Sequence, residues 1–174
     1  MNLLSIFQQR HSIRKYTGAP IDDAALTQII QAGLLSASSR SIRPWEFIVV
    51  KDKDMLRHLS ECRTGAAWML AGADAAIVVI ANAEVSDVWI EDSSIAMANM
   101  HLMADSLGIG SCWIQGRLRT ATSADSGTAS VTTEDYVREC LDFPEGYKLE
   151  AILSLGMPAE EKTPAELSKL PFEK

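Results

Sequence analysis

The sequence lacks the cysteine and histidine patterns of disulfide-bonded and metal-binding proteins. Its three cysteines, Cys62, Cys112 and Cys140, are odd in number, lie far apart and include no Cys-x-x-Cys motif. A disulfide framework or a zinc site is therefore not expected, and the pattern indicates a reducing compartment. The three histidines are scattered without the spacing of metal ligands.

Long apolar runs are also missing. The longest internal one, residues 75–81, is far too short to cross a bilayer, and the apolar stretch 3–7 is too short for the core of a signal peptide. Sixteen Lys and Arg against 23 Asp and Glu give a formal charge of −7. This balance disfavours a nucleic-acid partner, because phosphate binding needs clustered cations. We expect a cytoplasmic protein without a membrane or nucleic-acid partner, and the charge still allows one local cationic pocket.

Two common catalytic signatures are absent as well. There is no Gly-x-Ser-x-Gly elbow. The run 108–113 starts with Gly-x-Gly, but Trp113 stands where the dinucleotide fingerprint requires a third glycine. The run also leaves a predicted helix and enters a strand, which is the reverse of the required order. No nucleophile, base and acid are grouped, so no catalytic side chain is assigned and a bound cofactor is expected to supply any chemistry.

The sequence does contain enough regular structure for one domain. Its 174 residues, of which 47% are hydrophobic, suit a single domain with its own core. Helices are predicted at 3–9, after Asp22, at 54–62, at 88–107 and at 133–141 with Thr133 as its cap, and strands at 46–51, 75–82, 111–115 and 149–155. Their irregular alternation indicates an α/β or α+β fold in which helices cover a sheet. Strand 75–82 is apolar on both faces and is expected in the centre of that sheet.

Three segments predict contacts beyond the core or mobility. Helix 88–107 is apolar on most sides, so a subunit interface is expected to cover part of it. His101 on this helix is expected to be a satisfied interface residue rather than a catalyst. The polar segment 117–131 is predicted to be a mobile loop. The tail 158–174 is too polar to fold alone and is expected to lie along another surface, such as a partner subunit.

The cluster Arg10-His11-Ser12-Ile13-Arg14 is the most distinctive group of charges in this acidic protein. Side chains alternate between faces in an extended segment, which would turn Arg10, Ser12 and Arg14 to one side. Two guanidinium groups and a hydroxyl on one side form a polydentate binding group for an anion. The alternative is a solvated basic turn, and the spacing alone does not choose between the two.

A second candidate is the polar loop 36–45, which joins a predicted helix to strand 46–51. Its small hydroxyl residues would let the backbone approach a ligand closely and would offer short hydrogen bonds. Pro44 sets the entry to the strand, and Trp45 anchors it. By itself, the loop is better explained as an ordinary polar connection.

Taken in order, these segments resemble the nitroreductase family of FMN enzymes. Four motifs carry the resemblance over nearly the whole chain: residues 10–16, the serine-rich loop leading into 44–47, residues 91–92 with 107–114, and residues 147–152 with 155–158. The resemblance implies an α+β fold with a central mixed β-sheet covered by helices. It also implies a homodimer formed through the long helices, with FMN bound at the subunit interface. NADH or NADPH would donate electrons in a ping-pong reaction, and a small nitroaromatic or quinone would accept them.

The resemblance also implies which residues bind the cofactor. One group would hold the phosphate and ribityl end of FMN and reach its pyrimidine edge: Arg10, His11, Ser12 and Arg14. A second group would reach the flavin of the other subunit: Ser38, Ser39 and Ser41. The backbone of a third group would face the central ring: Ile114, Gln115 and Gly116. Lys169 in the tail would add a contact to the phosphate.

The sequence departs from the family pattern in the serine loop. Ala37, Ser41 and Arg43 replace the usual Pro, Asn and Gln. This departure keeps a second hypothesis open, a flavin-binding or flavin-processing protein with little nicotinamide-dependent reductase activity. A third hypothesis is an oligomeric scaffold without flavin, in which Arg10 and Arg14 are only surface charges.

Overall fold

The computed structural model describes residues 2–121 and 130–171. Five helices and four strands in these ranges follow the predicted order. The helices are α1 (Leu3–Gln9), α2 (Asp23–Leu34), α3 (Lys53–Leu59), α4 (Trp89–Ser106) and α5 (Thr133–Leu141). The strands are β1 (Trp45–Val50), β2 (Ala75–Asn82), β3 (Gly110–Gln115) and β4 (Tyr147–Gly156). Residues 122–129 of the predicted loop 117–131 lie outside the described residues. No helix of the described part is long and apolar enough to cross a membrane.

The four strands form one sheet in the order β1-β2-β4-β3, and each neighbouring pair is antiparallel. The α+β fold with covering helices is confirmed, but the expectation of a mixed sheet needs correction. β2 and β3 do run in the same direction, as a crossover through α4 allows, yet β4 inserts between them and pairs with both. Within the described ranges, parallel pairing is limited to an isolated bridge between Ser12 and Ser111.

The sheet separates two apolar cores. Residues 75–81 of β2 are at most 1% exposed, which confirms the central position predicted for this strand. On one face, α3 and α5 contribute Leu56 and Val137. On the other face, α2 and α4 contribute Ile29 and Met97. Helices therefore cover both faces, and α4 lies directly over the strands that carry the candidate site.

Helix ends follow the chemistry of capping. Asp22 caps α2, the helix that was predicted to follow it, and Gly108 follows α4 in the left-handed conformation with a φ of 73°. The cap of α5 is Thr132 rather than the predicted Thr133. The Thr132 side chain accepts the Asp135 backbone N–H at 3.0 Å. Thr133 is instead the first helical residue and is buried. Thr132 can act as the cap because its extended backbone turns its hydroxyl back toward the first turn of the helix.

A β-bulge in β4 gives Glu150 an unusual position. The register between β2 and β4 shifts at Val79 and Ile80, so Glu150 has no partner on β2. Its carboxylate accepts a hydrogen bond from Ser94 Oγ of α4 at 3.3 Å, and the residue is only 3% exposed. The bulge therefore turns a carboxylate toward α4, next to the end of β3.

The tail after β4 runs along the N-terminal part of its own chain. The Ala159 backbone N–H donates to the Lys15 carbonyl at 2.9 Å, and the Ala165 N–H donates to the Gln8 carbonyl at 2.8 Å. The sequence predicts that the tail lies along another surface. For residues 158–165, that surface includes the N-terminal segment of the same chain.

Candidate functional site

The basic segment 10–16 lies along the outer edge of β3. The Ile13 backbone N–H donates to the Ser111 carbonyl at 2.9 Å, and the Ile13 side chain is buried. Gly110 permits this approach, since a Cβ there would lie 2.8 Å from Ile13 Cγ2. Ser12 and Tyr16 form isolated β-bridges, as expected of an extended segment.

Tyr16 and Glu160 hold the far end of this segment. The Tyr16 hydroxyl lies 2.9 Å from the Ile13 carbonyl oxygen and 2.7 Å from Ser154 Oγ, and burial raises its pKa. Glu160 Oε1 accepts the Arg14 backbone N–H at 2.7 Å. This bond is the main reason that the pKa of Glu160 falls to about 2. The backbone of the segment is thus fixed from both the core and the tail.

Arg10 is half-buried and contacts the long helix. Its Nη1 lies 2.9 Å from Nε2 of His101, and Nδ1 of the same ring lies 2.5 Å from Ser111 Oγ. His101 is 6% exposed. Burial, and then the nearby Arg10 guanidinium, lower the pKa of His101 to about 4, so the ring is neutral at pH 7. Both ring nitrogens are hydrogen-bonded within the chain.

The other predicted residues of the segment are less constrained than Arg10. Arg14 is exposed, and its Nη1 donates to the Ser12 carbonyl at 3.4 Å. His11 Nδ1 lies 2.6 Å from the Gln9 carbonyl oxygen. The structure therefore fixes one guanidinium of the predicted pair, while the second lies at the surface of the same segment.

The serine loop is anchored to α4 and has an unusual backbone. Asp92 of α4 is 3% exposed and accepts the Ser39 backbone N–H at 2.8 Å. Ser38 Oγ accepts a backbone N–H from Arg43 at 3.0 Å. Three residues of the loop adopt left-handed φ values of 52°, 56° and 52°: Arg40, Ser41 and Arg43. Residues other than glycine seldom adopt this conformation, and such strain concentrates at functional sites.

The end of β3 turns sharply beside the β-bulge. The backbone N–H groups of Gly116 and Arg117 both donate to the Glu150 carbonyl at 3.0 Å. A Cβ on Gly116 would lie 2.5 Å from Leu149 Cδ2, so this turn needs glycine. Ile114 is 1% exposed, and its side chain belongs to the core. A ligand at this turn would therefore meet mainly backbone, as the assignment of these residues expects.

A cavity of about 480 Å³ adjoins this turn and is lined by Trp113, Gln115, Arg117 and Glu150, among others. Arg117 Nε and Glu150 Oε2 form an ion pair at 3.7 Å, a distance that is too long for a hydrogen bond. Both atoms are buried and have no hydrogen-bond partner among the described residues. Burial raises the pKa of the Glu150 carboxyl group. The wall of the cavity thus contains a long ion pair whose two charged atoms are closed off from solvent.

The sequence profile of the Nitroreductase family matches residues 7–67 and 56–157, which together span most of the chain. The chain belongs to the nitroreductase family. One curated relative is an Archaeoglobus fulgidus protein provisionally named NADH dehydrogenase/NAD(P)H nitroreductase. It is 37% identical over 163 residues, which cover 91% of this chain and 87% of the relative.

Solved nitroreductase structures share the fold. An FMN-dependent nitroreductase from Clostridium difficile R20291 has a TM-score of 0.91 and 44% identity, and the match covers 98% of this chain and 96% of that one. The NADPH:FMN oxidoreductase of Vibrio harveyi, solved in complex with NAD+, has a TM-score of 0.77 and 25% identity. That match covers 94% of this chain and 73% of the other. The nitroreductase fold expected from the sequence is therefore confirmed.

Lys169 is a predicted site residue that lies at the surface of the tail in this nitroreductase. Its ammonium group pairs with Glu166 at 2.8 Å, and its side chain is 74% exposed. Within residues 2–121 and 130–171, no hydrogen bond or ion pair joins Lys169 to segment 10–16. A role for Lys169 at the phosphate stays a prediction.

Four residues that contact the candidate site residues were not predicted from the sequence to belong to the site: Asp92, His101, Glu150 and Glu160. Three of them contact site residues that are 53, 91 and 146 positions away. Asp92 and Glu150 carried a signal, as members of the motifs 91–92 and 147–152. His101 could have been marked as unusual because a histidine interrupts the apolar residues of α4.

Proposed function

We propose that this nitroreductase-family protein is an FMN-dependent NAD(P)H oxidoreductase that works as a homodimer and passes electrons to a small oxidised acceptor, such as a nitroaromatic or a quinone. The position of the Arg10 guanidinium is the observation that supports this proposal most strongly. Its guanidinium is fixed by the neutral His101 ring and so keeps its full charge for an anion. The phosphate of FMN is such an anion, and guanidinium groups bind phosphate through strong charge-assisted hydrogen bonds.

The other residues of the site also fit FMN. The turn at Gly116 has no side chain of its own, so backbone can approach a flat ring closely. The adjoining cavity of about 480 Å³ leaves room for a ligand beside this turn, with the polar side chains of Gln115 and Arg117 in its wall. When bound, FMN takes electrons from the nicotinamide and passes them to the acceptor. The similarity to the FMN-dependent nitroreductase from Clostridium difficile supports the same choice of cofactor.

The chain's own residues bind, orient and tune the cofactor. Arg10 would hold the phosphate, and His11 and Ser12 would hold the ribityl end. Arg14 lies at the surface of the same segment and would contact the pyrimidine edge. Its positive charge there would stabilise the anionic reduced ring and so raise the reduction potential. Donor and acceptor use one binding place in turn, which gives ping-pong kinetics.

The homodimer completes the site. Within the described part of one chain, no hydrogen bond joins the serine loop to segment 10–16, which suits a loop that serves the flavin of the other subunit. Ile95 on α4 is 44% exposed, so this apolar helix has a face left for a partner. The whole chain acts as one domain. Its three free cysteines suit the reducing cytoplasm.

The visible spectrum of the purified, FMN-loaded protein tests this function. We expect flavin absorbance that bleaches within seconds on anaerobic addition of NADH or NADPH and returns when menadione or nitrofurazone is added. A yellow protein that neither nicotinamide bleaches would favour a flavin-binding role without reductase activity. A protein that stays colourless after incubation with FMN would favour the flavin-free scaffold.

Asp92→Ala is expected to detach the serine loop from α4. The substitution leaves the Ser39 backbone N–H without its buried acceptor, at a cost of about 1–3 kcal/mol. We expect FMN affinity to fall about tenfold, as measured by quenching of flavin fluorescence. Asp92→Asn keeps an acceptor oxygen at the same place and should retain most of the affinity. Equal affinity in Asp92→Ala and the unchanged protein would show that the loop does not depend on this anchor.

A further inference from the structure

We propose that His101 is a positioning residue that holds Arg10 through an uncharged acceptor, so that the whole guanidinium charge remains available to the phosphate of FMN. The inference rests on the proposed function, because it concerns the same phosphate. It adds a requirement that the flavin assignment itself does not contain. The acceptor behind Arg10 must be neutral, and a carboxylate at this place would weaken FMN binding.

The hydrogen bonds fix the tautomer of His101. An arginine side chain is protonated at any ordinary pH and has donors but no acceptor. Since Arg10 Nη1 lies 2.9 Å from His101 Nε2, Nε2 must accept and carries no proton. The ring proton is then on Nδ1, which donates to Ser111 Oγ at 2.5 Å. Only the neutral ring can make both bonds at once, because a protonated ring has no nitrogen that can accept from Arg10.

Ser111 connects this arrangement to the backbone of segment 10–16. Its side chain accepts from His101, while its carbonyl accepts the Ile13 N–H at 2.9 Å. Ser111 is 2% exposed and belongs to β3, which is a rigid place to anchor a side chain. One buried serine therefore fixes both the path of the segment and, through His101, the guanidinium at its start.

The charges around Arg10 explain why a neutral acceptor matters. Asp105 lies one helical turn after His101. Burial raises the pKa of its carboxyl group, and the nearby charges of Arg10 and His11 act in the opposite direction. Asp105 makes no ion pair with Arg10 in the described structure. The protein has a formal charge of −7, so an anionic ligand is attracted only where a cation is left uncompensated. A carboxylate in place of His101 would pair with Arg10 and remove that cation.

Three substitutions of similar length separate this role from simple packing. His101→Gln keeps a neutral acceptor near the position of Nε2, His101→Glu has the same shape with a negative charge, and His101→Met has no good acceptor. All three introduce residues that favour helices. His58→Gln, at an exposed position of α3, is the matched control. Thermal melts of each apo-protein show whether it is folded.

The measurement is the Kd of each variant for FMN and for riboflavin, which lacks the phosphate. We expect His101→Gln and His58→Gln to bind FMN within about threefold of the unchanged protein. We expect His101→Glu and His101→Met to bind FMN at least about tenfold more weakly. Riboflavin affinity should change by less than about threefold in every variant. If either His101→Glu or His101→Met does not fold, the other one can still be compared with His101→Gln.

The results distinguish failure of the inference from failure of the function. Equal FMN affinity in the Glu and Gln variants would overturn the inference alone. So would a loss in His101→Met that is the same for FMN and riboflavin, because packing, and not the phosphate, would then be affected. If the unchanged protein binds neither FMN nor riboflavin, the proposed function is wrong, and the inference about His101 is wrong as well.

Discussion

Replacing Arg10 with alanine is expected to raise the Kd for FMN about 100-fold. The substitution removes a guanidinium that His101 holds in place, and with it the charge-assisted bonds to the phosphate. Each such bond contributes about 1.5–3 kcal/mol, and a 100-fold change corresponds to about 2.7 kcal/mol. Titration of the apo-protein with FMN, followed by flavin fluorescence, measures the effect.

A thermal melt gives an independent view of the same change. At an FMN concentration of about 100 times the Kd, the ligand stabilises the folded protein by about 2.7 kcal/mol. Arg10→Ala should lose most of this gain, while its melting temperature without FMN should change little. Arg57→Ala is the matched control, since Arg57 is an exposed arginine on α3 that pairs with Asp54. Unchanged FMN occupancy in Arg10→Ala would contradict the assignment of the phosphate site.

Gly156→Ala is expected to lower the free energy of unfolding by about 3 kcal/mol. A Cβ at Gly156 would lie 2.5 Å from Cγ and 2.6 Å from Cδ1 of Tyr16. The ring cannot easily move away, because its hydroxyl lies within hydrogen-bond distance of Ile13 and Ser154 in the interior. Overpacking of this kind costs about 1–3 kcal/mol, and the loss of the Tyr16 anchor places the effect at the upper end.

Urea unfolding and thermal melts measure this loss of stability. A decrease of about 3 kcal/mol corresponds to a fall in melting temperature of about 6–12 °C for a chain of this size. Gly72→Ala is the matched control, because a Cβ at Gly72 would meet no atom within 4 Å. FMN affinity should fall in Gly156→Ala as well, since Tyr16 fixes the segment that carries Arg10 and Arg14. A variant as stable as Gly72→Ala would show that Tyr16 is not held as tightly as its contacts indicate.

The regular elements were predictable because each depends on local sequence. β2 has the predicted bounds because its apolar residues continue without interruption on both faces. The pairing of strands is a different matter, since it depends on which strands meet in space. β4 comes last in the chain but inserts between β2 and β3, and no local pattern shows this. The β-bulge at Glu150 is also hidden in the sequence, because one extra residue in an apolar strand looks like ordinary alternation.

The candidate site was predictable in part for the same reason. The spacing of Arg10, Ser12 and Arg14 in one extended segment indicates an anion-binding group, and the resemblance to nitroreductases names the anion. The sequence does not show that Arg10 is fixed and Arg14 exposed, because that difference comes from His101, 91 positions away. It also does not show that the turn at Gly116 is held by the Glu150 carbonyl, because the fold alone brings these two residues together.

A crystal structure of the FMN-loaded protein would test most directly whether segment 10–16 binds the cofactor. We expect flavin density in a cleft between two protomers, with phosphate oxygens about 2.7–3.2 Å from the Arg10 guanidinium and His101 still behind it. Flavin bound elsewhere, or a phosphate held by other residues while Arg10 points into solvent, would contradict the account.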